Sequence, residues 1–167
     1  SYIIAERDLT KTFEEQILDQ LEKQASLLVE YIDEVDSLLI NNNADSIADR
    51  LGNASNSRVT LILNNGKVIG DSYIDEKELS QLDDHSTREE FIEALKYGFG
   101  WSSRYSASVK QQQLYFAVRD NNEVSPNIIR IAVPYTYLDQ AIQSLDLSLL
   151  LVAMVALLVA TIASGLA

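Results

Sequence analysis

The hydrophobic period changes several times along the chain, and each change predicts an element. From Asp8 to Leu39 apolar residues recur at Leu9, Phe13, Ile17, Leu21, Ala25, Leu28, Ile32, Val35 and Leu39. Spacings of four and three predict one long helix whose later part is a seam against another helix or a sheet. Asp8 or Thr10 can cap its start, and Asn41 to Asn43 is expected to end it. A helix of that length spans about 45–50 Å. A shorter helix is predicted from Ala44 to Leu51, before a polar loop at residues 52–57.

The period then falls to two. Residues 58–63 and 67–72 read as strand, tight turn, strand, with Asn65-Gly66 suited to the positive φ angles of a hairpin turn. Helical spacing returns in residues 86–98. There Ser86 and Glu89 match a capping box, Phe91 and Leu95 share a face, and Gly98 can close the C-terminus. Residues 101–109, 113–119 and 127–134 are rich in aromatic and β-branched residues and predict further strands, the last ended by Pro134. Leu138, Ile142, Leu145 and Leu149 resume the helical rhythm. The expected fold is α+β: a PAS-like five-stranded antiparallel sheet with the long N-terminal helix on one face and short helices on the other.

The last 21 residues, Leu147 to Ala167, carry no charge. As a helix they match the thickness of a bilayer's hydrocarbon core, about 30 Å, and predict a transmembrane span. Its near flank, Asp139 to Asp146, holds two aspartates and no Lys or Arg, which places that side outside the cytoplasm. The expected organisation is a long helix over 1–43, emerging from an earlier span, a sensor core over 44–134, an exit helix over 135–146 and the span over 147–167. The start without methionine reads as a piece of a longer protein.

Charge narrows the function classes. With 25 acidic against 13 basic residues and a net charge of −12, the chain lacks the basic face that nucleic acid requires. The absence of cysteine removes disulfides and thiolate zinc sites. His85 is the single histidine, so no paired-histidine zinc motif can form, and no nucleophile elbow accompanies it. Its expected role is to fix a loop or to line a pocket, and no catalytic residue or cofactor is expected in this segment. Arg88 falls in a first helical turn, where the dipole disfavours a cation. Its compensating anion is either an internal carboxylate, Asp83, Asp84 or Glu89, or a ligand carboxylate or phosphate shared with Arg104. Trp101, Tyr105 and Tyr115 carry apolar faces with polar tips, which suit a small-molecule pocket or a sheet core. The acidic set Asp71, Asp75, Glu76, Glu78, Asp83 and Asp84 can be a solvated surface or hold a divalent cation, without EF-hand spacing.

Several stretches together resemble one family. Gln24-Ala25-Ser26-Leu27-Leu28, Val68 to Ser72, His85 to Glu90, Gly98 to Ser106, Leu114 to Ala117 and Arg130 to Pro134 are similar, in order and spacing, to the extracytoplasmic sensor region of PhoR-type phosphate-regulon histidine kinases. Glu89 stands where that pattern has proline. The resemblance implies a PAS-like (PDC or Cache-type) sensor domain between two membrane spans, with Asp71, His85, Arg88, Arg104 and Tyr105 as recurrent positions around the sheet's helical face. It also implies a parent histidine protein kinase, a homodimer, a response-regulator partner and an unknown small-molecule or protein signal. A chemoreceptor or a cyclic-dinucleotide enzyme would use such a domain with another output, and an acidic domain that senses divalent cations or membrane surface directly is an alternative of a different class.

Overall fold

The computed structural model describes residues 2–34, 37–120, 126–136 and 151–158. Helix α1 spans Tyr2–Glu34 and α2 spans Ser37–Ser55. The helix expected from Asp8 to Leu39 falls on α1 and the start of α2, with residues 35–36 outside the described ones. α1 begins ahead of Asp8 and Thr10, so neither caps it. The asparagine run does interrupt the helix as expected: Asn43 leaves helical geometry at φ −136° and ψ 25°, and a second helical stretch follows from Ala44. Asparagine favours such a break because its amide competes for backbone hydrogen bonds. Beyond Leu51 the helix runs on to Ser55, closed by Asn56 at φ 49° and a bond from Ser57 N to the Gly52 carbonyl of 3.2 Å. This is a Schellman end with asparagine in the left-handed position.

Five strands follow: β1 Arg58–Ile62, β2 Val68–Asp71, β3 Phe99–Ser106, β4 Gln111–Arg119 and β5 Ile128–Pro134. They form one sheet of order β2-β1-β5-β4-β3 in which every neighbouring pair is antiparallel. In the β1–β2 hairpin only Gly66 takes a positive φ, 84°. Asn65 instead accepts the Lys67 N–H at 3.1 Å through its side chain, so the turn is wider than the expected two-residue form.

Between β2 and β3 lie a 3-10 turn, Glu76–Gln81, and helix α3, Glu89–Tyr97. The capping box expected from Ser86 and Glu89 does not form: Arg88 holds the N-cap position. Ser86 is taken by the preceding aspartate, donating its N–H and its hydroxyl to Asp84, each at 2.8 Å. Gly98 closes α3 as expected, at φ 93°.

The two faces of the sheet differ in chemistry. Val59, Leu61, Leu114, Phe116, Ile129, Ile131 and Val133 pack against Leu21, Ala25, Leu28 and Ile32 of α1 and Ala44, Ile47, Ala48 and Leu51 of α2. Burying each large aliphatic side chain there contributes roughly 1.5–3 kcal/mol. α2 therefore joins α1 on this face. The opposite face has a smaller apolar cluster, Ile62, Val68, Phe91, Ala94, Ala117 and Ile128, with Leu79 and Leu82 against it. The rest of that face is polar, buried, and holds the site.

The chain divides into two compact units, Glu14–Tyr135 and the chain ends, Ser1–Phe13 with Thr136–Ala167. Among the described residues no helix is long and apolar enough to cross a membrane. Of the expected span, residues 151–158 are described; they are helical, and six of their large apolar side chains are between 50% and 68% exposed. The remainder of that span, and the expected exit helix beyond Thr136, lie outside the described residues.

Candidate ligand site

Alternation along the strands sends Arg58 and Thr60 of β1, Arg130 of β5, Tyr115 of β4 and Ser102 and Arg104 of β3 to the face opposite α1. β1 to β5 register sets Thr60 beside Arg130, and β1 to β2 register sets Thr60 beside Asp71. Gly100 of β3 lets α3 lie directly on the strand: a Cβ there would meet Glu93 Cβ and the Glu90 carbonyl oxygen. That approach puts the Glu90 carboxylate over the sheet, fully buried.

The result is a hydrogen-bonded chain across the sheet. Arg58 Nε donates to both Asp71 oxygens at 2.9 and 3.1 Å. Thr60 donates its hydroxyl to Asp71 at 2.8 Å and accepts from Arg130 at 3.1 Å. Arg130 also donates to Glu90 at 3.3 Å, and Arg104 donates to the same oxygen at 2.7 Å. Ser102 donates to the other Glu90 oxygen at 2.6 Å. The Arg104 and Arg130 guanidiniums lie 3.9 and 4.9 Å from the centre of the Tyr115 ring, within cation–π range. Burial favours the neutral form of Glu90, but Arg130, the Ser102 hydroxyl and Arg104 outweigh it and hold the carboxyl below its ordinary value.

Above this network is a cavity of about 460 Å³ lined by Arg58, Arg88, Arg104 and Arg130, with His85, Asp83, Tyr105, Ser106, Ser108 and Tyr115 among its other walls. Four cations thus meet in a chain of net charge −12. The Nε atoms of Arg88, Arg104 and Arg130 are buried without a hydrogen-bond partner. Gln113, opposite Arg104 on β4, is completely buried with neither amide atom bonded. The four guanidiniums that line the cavity offer donors only, which suits an acceptor-rich guest.

His85 is buried, and its Nδ1 lies 2.7 Å from the Asp83 carbonyl oxygen. A carbonyl only accepts, so Nδ1 carries the proton. Burial first, then Arg130, Arg88 and Arg104, push its pKa down to about 4, against the Asp83 bond. The ring is neutral at pH 7, and Nε2 keeps its lone pair.

Of the residues singled out from sequence, His85, Arg88, Arg104, Tyr105 and Tyr115 line the cavity. Asp71 lies behind the wall, bound to Arg58. Trp101 pairs with Phe116, a residue of the core on the α1 side, so its side chain belongs to the opposite face and is 41% exposed. Arg88 finds the internal partner expected for it, Asp83 at 3.3 Å. Arg58, Arg130 and Glu90 were missed as site residues. Among the described residues no group of three or more His, Cys, Asp or Glu side chains is placed to hold a metal.

The family model for single Cache-like domains matches residues 11–128. The chain belongs to the single Cache-like family. Among solved structures this Cache-like domain is similar to the ligand-binding domain of the Campylobacter jejuni chemoreceptor Tlp3 in complex with 4-methylisoleucine, with a TM-score of 0.61 at 20% identity, covering 79% of this chain and 56% of that one. The Tlp3 sensory domain with isoleucine bound gives 0.60 at 21% identity, covering 79% and 57%. The sensor domain of the V. cholerae histidine kinase DctB gives 0.58 at 12% identity, covering 83% and 58%. These likenesses are of fold. The Cache-like domain spans a little over half the length of those sensor domains. No curated protein sequence matches it.

Proposed function

We propose that this Cache-like domain is the extracytoplasmic signal-input module of a membrane-bound sensor histidine kinase of the phosphate-regulon type, and that its signal is a small anion taken into the arginine-lined cavity. The convergence of Arg58, Arg88, Arg104 and Arg130 on one space carries the reading. Its other supports are the family, the PhoR-like order of motifs, the flank without Lys or Arg before residue 147, and the exposed apolar side chains of 151–158. Inorganic phosphate need not be the ligand; the phosphate-starvation output rests on the motif resemblance.

The mechanism is a population shift. A ligand that prefers one arrangement of the arginines favours the matching arrangement of β5 and α3, because Arg130 and Arg104 share Glu90. β5 leads in sequence straight into residues 135–146, the expected exit helix, and a homodimer would pass the shift through paired spans to the kinase and its response regulator.

The test uses the full parent receptor in membranes. Arg88→Ala and Arg104→Ala are expected to reduce the ligand dependence of autophosphorylation by about tenfold or more, since each removes a charged hydrogen bond worth about 1.5–3 kcal/mol. An unaltered response in both variants would contradict direct sensing by the cavity. The fold shared with Tlp3 favours a chemoreceptor as the second reading. The parent chain after residue 167 separates the two: a histidine-bearing dimerisation helix for the kinase, a long methylated coiled coil for the chemoreceptor.

A further inference from the structure

The charge on the cavity wall is divided unevenly between depth and surface. Asp71 and Glu90 are fully buried and offset two of the four guanidiniums, through Arg58 and through Arg104 with Arg130. The third carboxylate, Asp83, has a side chain 84% exposed and meets the wall at Arg88 alone, at 3.3 Å. Without it the wall carries two uncompensated positive charges. Asp83 therefore occupies, from the loop, a place that a ligand's acid group can take.

The hydrogen-bonding sense of the wall is equally lopsided. The arginines that line it offer donors only. His85 Nε2 is an acceptor, because Nδ1 holds the proton against the Asp83 carbonyl, and among the described residues no donor reaches it. A guest that satisfies both must present several acceptors and at least one donor. Size adds a third condition. A space of about 460 Å³ lies in the range of organic-ligand pockets, and its walls include the apolar side chains of Leu82 and Ala107, which a bare phosphate cannot use.

Resting on the reading of this cavity as the signal site, we infer that its ligand is a small organic dianion carrying a hydroxyl group, whose acid group displaces Asp83 from Arg88 and whose hydroxyl donates to His85 Nε2. A phosphate ester and a hydroxylated diacid both present this chemistry.

Titration calorimetry of the full chain in detergent at pH 7 separates the sources with two matched pairs, glycerol 3-phosphate with propyl phosphate and tartrate with succinate, and with inorganic phosphate. In one pair the hydroxylated member is expected to bind about fivefold tighter than its deoxy partner, and inorganic phosphate about tenfold more weakly than either. The pair that binds identifies the source. Asp83→Asn is expected to tighten binding by up to about fivefold by removing the competitor. His85→Phe is expected to abolish the preference for the hydroxyl, and His85→Gln, which keeps an acceptor, to restore part of it. Equal binding within both pairs, phosphate binding as tightly as the organic anions, weaker binding by Asp83→Asn, or no binding by any probe would each overturn this ligand class. None of those results decides whether the cavity senses, which Arg88→Ala and Arg104→Ala decide in the signalling assay.

Discussion

Protonating His85 would set a cation among Arg88, Arg104 and Arg130, and this single residue gives the fold a pH dependence. The unfolded chain takes up that proton near pH 6.5 and the folded chain only near 4. Between those values the unfolded state binds more protons, so stability falls as pH drops through the window. The full shift corresponds to roughly 3 kcal/mol. Glu90 acts in the same direction at lower pH: its folded pKa is held down, so its contribution is lost as pH falls below the unfolded carboxylate value. Urea midpoints at pH 7, 5.5 and 4.5 are expected to decline for the wild type and to decline less for His85→Gln between pH 6.5 and 4. Parallel decline in both proteins would show that His85 does not titrate as described. His85 and the Arg88–Asp83 pair were legible in the sequence because a lone histidine and a first-turn arginine both ask for partners. Arg58 and Arg130 were not, since an arginine in a strand reads as solvent-facing. The available signal was the apolar run around Arg130, Ile128 to Val133, too continuous for a strand with a wet face; every residue of that run is buried.

At the scale of elements, the strands were legible because alternation and β-branching mark them locally, whereas their order in the sheet, with β5 between β1 and β4, depends on pairing between distant segments and was not. Boundaries governed by competition between neighbouring side chains were not legible. Asp84 takes Ser86 away from α3, and α2 runs past the expected Leu51 to Ser55. The contact of α3 with β3 through Gly100 was also hidden, because a glycine's role in close packing appears only when its neighbour is known. That contact sets Glu90 over the arginines. Gly100→Ala would force α3 away from β3 and is expected to cost about 1–3 kcal/mol, the range for overpacked sites, measured by urea unfolding, and to weaken anion binding at the same time. Unchanged stability and binding would show that α3 does not lie against the strand at this point.

At the scale of the whole molecule, one sheet serves two solvents. The face toward α1 and α2 is apolar and supplies the core. The other buries charge, and buried charge is stable only when paired and hydrogen-bonded. Asp71 and Glu90 pair it incompletely, so the fold itself leaves a cationic space in an acidic chain. The most direct test observes the unpaired groups. In the ¹⁵N-labelled full chain, titration with glycerol 3-phosphate or tartrate is expected to shift the Nε–H resonances of Arg88, Arg104 and Arg130 and slow their exchange with water, while those of the surface residues Arg50 and Arg119 stay in place. Shifts spread evenly over all the arginines, or absent from those three, would contradict the account.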